Sequence, residues 1–522
     1  MTVVSKKRTR AQVQPISVRE WLVAFVGGLT LAFTAWGLGG VEMWTLHVLL
    51  AGGILTFACA LVPWPSRQSS KVSQAASGAA AGWLRSALHY LLNVDAAKRL
   101  IRFPFFWLSF IFLIYLLIGA CNPSAEIVRD ERGWWVEAMP AKIAQWLPTS
   151  VQSDYQPMNA WRVLVSFTAS FSLVWGLWAG LTRRKTTLLV LWCLLLSGGG
   201  MAMVAILQHL TEAKEVLWTF PSSNMNFWGS FFYRNQGAAY LNLILVAAAF
   251  LFFYHAIKAR QHVRSGGPHF LCVFLFLVSA ISVGTALSRG GILFGLSLCL
   301  VFAALLLIYG LQGMFQMRSY FLSGSAILGL LIVGYVAVGY IDLKAVEERF
   351  GDVEQTLETA GENTRAIATR ATWDMAEDRL ALGWGAGSFR YIFPMYQREY
   401  PEIFYARYSQ KVGWFGRKKF RYAHNDLVQF VAEYGLFGSC LIFGAFLLLL
   451  LQALSHLRGQ IFAVLILLAG AAQAYGHAFF DFIFNSPAYW MAFLGLFVVA
   501  VKLLSLESGK MRLRLFAREF DE

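Results

Sequence analysis

Residues 441–454 read LIFGAFLLLLLQAL, a stretch whose only strongly polar side chain is Gln452, and they continue an apolar run that begins at Leu427. A helix needs about 20 mainly apolar residues to cross a bilayer, and 427–453 meets that length. The same test gives further spans at 20–38, 43–62, 104–120, 161–181, 187–208, 237–255, 270–287, 291–311, 321–341, 460–480 and 487–504, twelve in all. Composition agrees. Hydrophobic residues make up 57% of the 522 and charged ones 14%, against about 25% charged in soluble domains. The expected fold is an all-α polytopic membrane protein, and a soluble multidomain enzyme is excluded.

Net charge is +15. In a soluble chain that would suggest nucleic acid, but here the cations collect on alternate connections. Lys6, Lys7, Arg8, Arg10 and Arg19 precede the first span, and Arg183, Arg184 and Lys185, then Lys258, Arg260 and Arg264, occupy later connections of the same parity. The positive-inside tendency therefore predicts both termini in the cytoplasm, with the N-terminal segment an uncleaved anchor. No nucleic-acid partner is expected. The six cysteines lie in or beside apolar stretches with no CxxC or His/Cys cluster, so neither a disulfide framework nor a structural zinc is expected.

Three connections exceed what a turn needs. Residues 63–103 place Trp83, Leu84, Ala87, Leu88, Leu91 and Leu92 at helical spacing, which predicts a cytoplasmic interfacial helix. Residues 121–159 carry Trp134, Trp135 and Trp146 and are expected to lie along the outer membrane surface. Residues 342–426 form the longest loop, mixed in charge. The chain thus divides into 1–341 (spans 1–9), the 342–426 loop and 427–522 (spans 10–12 with a basic tail).

Polar chemistry collects where even-numbered spans begin, on the extracytoplasmic side of this topology. Tyr233-Arg234-Asn235-Gln236, Ser288-Arg289-Gly290-Gly291, His424-Asn425-Asp426 and Asn485-Ser486-Pro487 each precede such a span. Helix N-termini attract anions, and guanidinium forks match phosphate oxygens. Arg234 and Arg289 there make a candidate diphosphate cradle, with Gly290 allowing close backbone approach; the bland alternative is arginines snorkelling to the interface. Asp426 with Gln429 resembles a capping box, which would hold His424 just outside the membrane as a candidate base. The cations Arg417, Lys418, Lys419 and Arg421 would disfavour its charged form. In the loop, Arg365 or Arg370 could bring another charge over the cradle. Gly383-Trp384-Gly385-Ala386-Gly387 lacks the βαβ context of a dinucleotide site and is expected to be a turn. No metal or cofactor site is expected.

These residues resemble a known family. His424-Asn425, nine residues, then Gly435-Leu436-Phe437-Gly438 is similar to the HN-x9-GxxG signature of the O-antigen ligase and polymerase superfamily. SRGG at 288–291, the block from Arg365 to Trp373 leading to GWGAGSF, and FYRNQGAAYL at 232–241 resemble its other motifs. The resemblance implies an inverting, metal-independent glycosyltransferase at the periplasmic face of a bacterial inner membrane. Its donor would be a glycan on a polyprenyl (undecaprenyl) diphosphate, and its acceptor a hydroxyl of a glycan, lipid or protein. It implies His424 as the base and Arg289 and Arg365 (or Arg370, the spacing leaving both open) as holders of the diphosphate, with Arg234, Asn235, Asn425 and Gly290 around the substrate. Ligase, polymerase and protein O-oligosaccharyltransferase remain alternatives. A transporter reading suffers because ionisable residues sit at the span ends rather than near mid-membrane.

Overall fold

A computed structural model describes residues 15–63, 92–131, 133–155, 158–261, 267–311, 364–409 and 413–508. Its helices are α1 (Val18–Phe33), α2 (Met43–Leu61), α3 (Val94–Ile101), α4 (Pro104–Cys121), α5 (Ala160–Gly180), α6 (Arg184–Leu210), α7 (Arg234–Gln261), α8 (His269–Thr285) and α9 (Arg289–Tyr309). They continue with α10 (Thr364–Glu377), α11 (Phe389–Gln397), α12 (Pro401–Phe404), α13 (Asp426–Leu454), α14 (Ile461–Phe480) and α15 (Pro487–Ser508). Among the described residues nine helices are long and apolar enough to cross a membrane, and α8 is a shorter apolar one. With α1 they fall on eleven of the twelve expected spans. The expected span 321–341, most of the expected interfacial helix, the first part of the long loop and the basic tail lie outside the described residues. The protein is an all-α polytopic membrane protein.

Helices α7 and α15 have no distinct polar face because they are enclosed on almost every side; even Lys502 of α15 is buried, donating to Trp178 O at 2.9 Å. α7 is packed by α6, α8, α9, α14 and α15, as expected of a helix with no polar face. Peripheral helices instead leave large apolar side chains uncovered, such as Phe25 of α1, Leu300 and Leu307 of α9 and Leu447 of α13. That surface suits hydrocarbon, not water.

The bundle has two distinct ends. At one, the Glu20 carboxylate accepts hydrogen bonds from the backbone N–H of Thr182 (2.8 Å) and Arg183 (2.6 Å) at the start of α6. Glu507 pairs there with Arg184 and Lys258 at 3.1 and 2.8 Å. At the other, the connections 34–42, 211–233 and 481–486 are sewn together: Ser486 Oγ donates to Gly39 O at 2.7 Å and Ser230 Oγ to Ala35 O at 2.6 Å.

Over this second end lies a canopy with its own apolar core, in which Val151 packs with Ala368, Met375, Phe389, Ile392 and Phe393. Residues 121–159, expected to lie along the membrane, instead form a three-stranded sheet in the order β2-β1-β3. Its strands are β1 (Pro123–Asp130), β2 (Gly133–Ala138) and β3 (Ser150–Gln152). β1 and β2 pair antiparallel, Val128 opposite Trp135, around a turn in which Asp130 Oδ1 accepts the Gly133 N–H at 3.1 Å. Of its tryptophans, Trp134 meets Tyr391 of α11 edge-on at 6.1 Å and so packs on the canopy, while Trp135 and Trp146 remain exposed. A second hairpin, β4 (Tyr405–Ser409) with β5 (Gly413–Arg417), precedes α13.

The canopy is fastened to α13 where that helix breaks. Gly435 (φ 62°, ψ −175°) interrupts it, and the freed groups pair with the 380–385 turn. Trp384 N donates to Ala432 O (2.9 Å), Gly385 N to Glu433 O (2.8 Å), Leu436 N to Leu380 O (2.7 Å) and Phe437 N to Ala381 O (3.1 Å). The buried Glu433 carboxylate accepts from Gly387 N and Phe389 N, both 3.1 Å, at the start of α11. The GxGxG run is thus a docking turn, as its context predicts.

Candidate active site

His424 sits in the turn that feeds α13. Asn425 is the N-cap, its side chain accepting the Val428 N–H at 3.2 Å, while Asp426 accepts Phe484 N (2.7 Å) and the Asn485 amide (2.8 Å). The expected capping box of Asp426 with Gln429 therefore does not form: the N-cap is Asn425, Asp426 ties α13 to the 481–486 connection, and Gln429 Oε1 accepts Ala423 N at 3.0 Å. Between these anchors His424 takes φ +56°, a left-handed conformation costly for a residue with a Cβ and common at functional sites. Its side chain stays partly exposed (26%), and its ring meets Phe482 edge-on at 4.8 Å.

Nδ1 of His424 lies 3.4 Å from Oδ1 of Asp481. The distance is ion-pair reach, with the geometry off the hydrogen-bond direction. Asp481 terminates α14 and is almost wholly buried. Phe482 N donates to it at 2.9 Å, the Asn235 amide also donates to it, and the Tyr233 hydroxyl lies 3.4 Å away. Arg365 Nη2 stands 4.0 Å from the same carboxylate, and Nη1 donates to Phe480 O at 3.2 Å. Besides the cations that the sequence places before it, His424 thus has an acid as its ion-pair partner.

Burial alone would raise the Asp481 carboxyl, but the His424 imidazole and the Arg365 guanidinium outweigh it and hold the group below its ordinary 3.8. Burial pushes the Tyr233 phenol up, keeping its O–H a donor. A carboxylate depressed by folding contributes stability that is present above its unfolded value and lost as pH falls through the lower folded value. The Asp481 contribution therefore disappears below pH 3.8. Arg365→Ala should flatten that acid loss, measured as unfolding temperature against pH in detergent; an unchanged profile would dissociate Arg365 from this carboxylate.

The remaining expected residues divide. Arg234 opens α7 and Arg289 opens α9, both at the site end. Ser288 Oγ accepts Gly291 N at 3.1 Å, fixing the start of α9. Gly290 packs against His477 of α14, where a Cβ would come within 2.7 Å of Nε2. Its small size therefore lets α9 approach α14, one turn from Asp481. Asn425 is turned inward (2% exposed) as a helix cap, which explains its presence without substrate contact. Arg370 lies on another face of α10, beside Tyr400, so the geometry separates it from Arg365, which reaches the Asp481 cluster. Asp481 itself escaped sequence reasoning; its only trace is a lone acid in the aromatic run AFFDFIFNSP.

Among the described residues, eleven apolar helices with a polar His–Asp–Arg cluster under a small canopy at one end define a multi-pass membrane protein with a built site there. Residues 274–443 match the family model described as O-Antigen ligase, which supports membership of an O-antigen ligase-like superfamily, a group of glycosyltransferase-like ligases and polymerases. The matched segment holds Arg289, Arg365, His424 and the Gly435 break; Asn235 and Asp481 lie outside it. No curated protein gives a significant match.

Proposed function

We propose that this protein transfers a glycan from a polyprenyl diphosphate to an acceptor hydroxyl at the extracytoplasmic face of a bacterial inner membrane, with both termini cytoplasmic. One observation carries the reading: the partly exposed His424 ring, backed at Nδ1 by buried Asp481, stands beside Arg365 where α7, α9, α13 and α15 all begin. The negative charge of ionised Asp481, 3.4 Å from Nδ1, favours a proton on that nitrogen over Nε2, whose lone pair is then free to act as the base. Nε2 then takes the acceptor proton as the hydroxyl oxygen bonds to the anomeric carbon and the carbon–phosphate-oxygen bond breaks from the opposite face, inverting the centre. The diphosphate leaves with the bonding electron pair. Arg289, Arg365 and Arg234, with the helix N-termini gathered there, hold that charge before and after it develops.

Phosphate neutralisation by fixed cations supports a metal-independent reaction, and the acceptor choice of a ligase is favoured by the family description. Polymerase and protein-directed transfer differ only in the acceptor. The test is transfer from purified polyprenyl-diphosphate glycan to lipid, glycan and protein acceptors in parallel, with a chelator present. Activity should survive chelation. Arg365→Ala should weaken kcat/KM by about 10–10²-fold, the loss of one charge-assisted contact, with Arg370→Ala close to wild type. The opposite ranking of the two arginines, or loss on chelation, would overturn this assignment.

A further inference from the structure

The canopy contains a second polar feature that the transfer chemistry does not use. A cleft of about 200 Å³ lies between β1, β2, α11 and the segment that leads to His424. Six of its lining residues are cationic: Arg129, Arg390, Arg417, Lys418, Lys419 and Arg421. None of the lining residues is acidic. Beyond the rim, Arg129 pairs with Asp154 at 3.4 Å, both groups well exposed, and Arg390 lies within electrostatic reach of the buried Glu433 carboxylate.

A charge run usually forms a solvated face, but this one is built in. The buried Gln397 donates to Lys418 O at 2.9 Å and to Ile403 O at 2.6 Å, and Lys418 N donates to Phe404 O at 2.8 Å. The backbone carrying the cations is therefore pinned to α11 and α12. Like charges gathered on a rigid concave wall repel one another and concentrate counter-ions. Beside them Trp134, exposed and packed edge-on against the buried Tyr391, lines the same cleft and offers an apolar ring face of the kind that covers the C–H side of a pyranose.

The cleft also borders the active site. Phe420, on its wall, lies 6.5 Å from the His424 ring. Arg390 sits 5.9 Å over Tyr422, whose ring stacks on Phe482 at 4.6 Å, and Phe482 touches His424. A saccharide with one end at His424 would run into the cationic wall.

We infer that this cleft binds an acidic saccharide, a sugar bearing phosphate or carboxylate, carried by one of the two glycan substrates. The inference rests on the transfer reading for its biological source, but binding is measurable without turnover. The probe is 6-phosphorylated mannopentaose, with neutral mannopentaose as control, titrated into the full-length protein in detergent. The phosphorylated probe should bind at least about tenfold tighter than the neutral one at low salt, and the difference should shrink at high salt. Lys418→Gln/Lys419→Gln/Arg421→Gln should erase it, the arginine version Lys418→Arg/Lys419→Arg should keep it, and Arg365→Ala should leave it intact. Equal binding of the two probes, or loss in Arg365→Ala but not in the glutamine variant, would overturn the inference. In the transfer assay the glutamine variant should raise KM for one substrate with kcat retained: for the acceptor if the acidic sugar is there, for the donor if it is in the donor glycan. An unchanged KM for both would also overturn it. Failure of transfer with intact probe binding counts against the catalytic reading alone.

Discussion

His424→Ala should lower kcat by about 10²–10⁴-fold, the contribution of a positioned general base, while donor KM changes no more than a few-fold. The split follows from the site. His424 touches Asp481 and Phe482, whereas the diphosphate is assigned to Arg289, Arg365, Arg234 and the helix ends. Alanine at 424 keeps a Cβ and hence the same left-handed strain at φ +56°, so folding should be little altered and the unfolding temperature reports whether it is. Asp481→Asn should mimic much of the kcat loss without removing the ring, because an amide no longer selects the tautomer with the proton on Nδ1. Full activity in His424→Ala would remove the base from this mechanism; a raised donor KM with normal kcat would move His424 to the donor-binding surface.

The helices and the site differ in how far they could be read from the chain. Spans such as 427–453 are legible because eighteen or more mainly apolar residues in a row have few other stable solutions. His424 and Arg365 were legible through local motifs. Asp481 was not, because its pairing is tertiary: nothing near AFFDFIFNSP announces a histidine at the head of α13. The helix start at 425 was misjudged by one position for a local reason. Asn425 and Asp426 are both good N-caps, and the choice fell to the residue with extended backbone, Asn425 at φ −153°, which left Asp426 to bind the 484–485 backbone and amide. The β1–β3 sheet was hidden by length. β3 has three residues, and β1 is only half-buried, so neither alternation nor a sustained apolar run marks them. The choice between Arg365 and Arg370 was not a sequence question; it depends on which face of α10 meets the end of α14.

Gly435→Ala should destabilise the protein by about 3 kcal/mol or more, since φ near +60° with extended ψ is open essentially to glycine alone. The added Cβ would also fall 2.4 Å from Ala381 O and 2.5 Å from its carbon, both backbone atoms that cannot rotate aside. The chain has two responses. α13 can straighten through 435, withdrawing the Ala432 and Glu433 carbonyls from Trp384 and Gly385, or the 380–385 turn can lift off; either breaks the hydrogen bonds that fasten the canopy. Glu433 would lose Gly387 and Phe389 with them, a buried carboxylate left short of donors. Transfer should fall with stability, because Arg365 rides on α10, which packs on α13. Gly444→Ala is the control: its Cβ would meet only Leu108 Cδ1 at an ordinary 3.7 Å, and alanine in a helix interior is favoured over glycine by up to about 1 kcal/mol. Thermal unfolding in detergent and limited proteolysis between 378 and 388 distinguish the two. Matching melting temperatures and cleavage for both variants would mean that the α13 break does not fasten the canopy, and Arg365 would then need another support over Asp481.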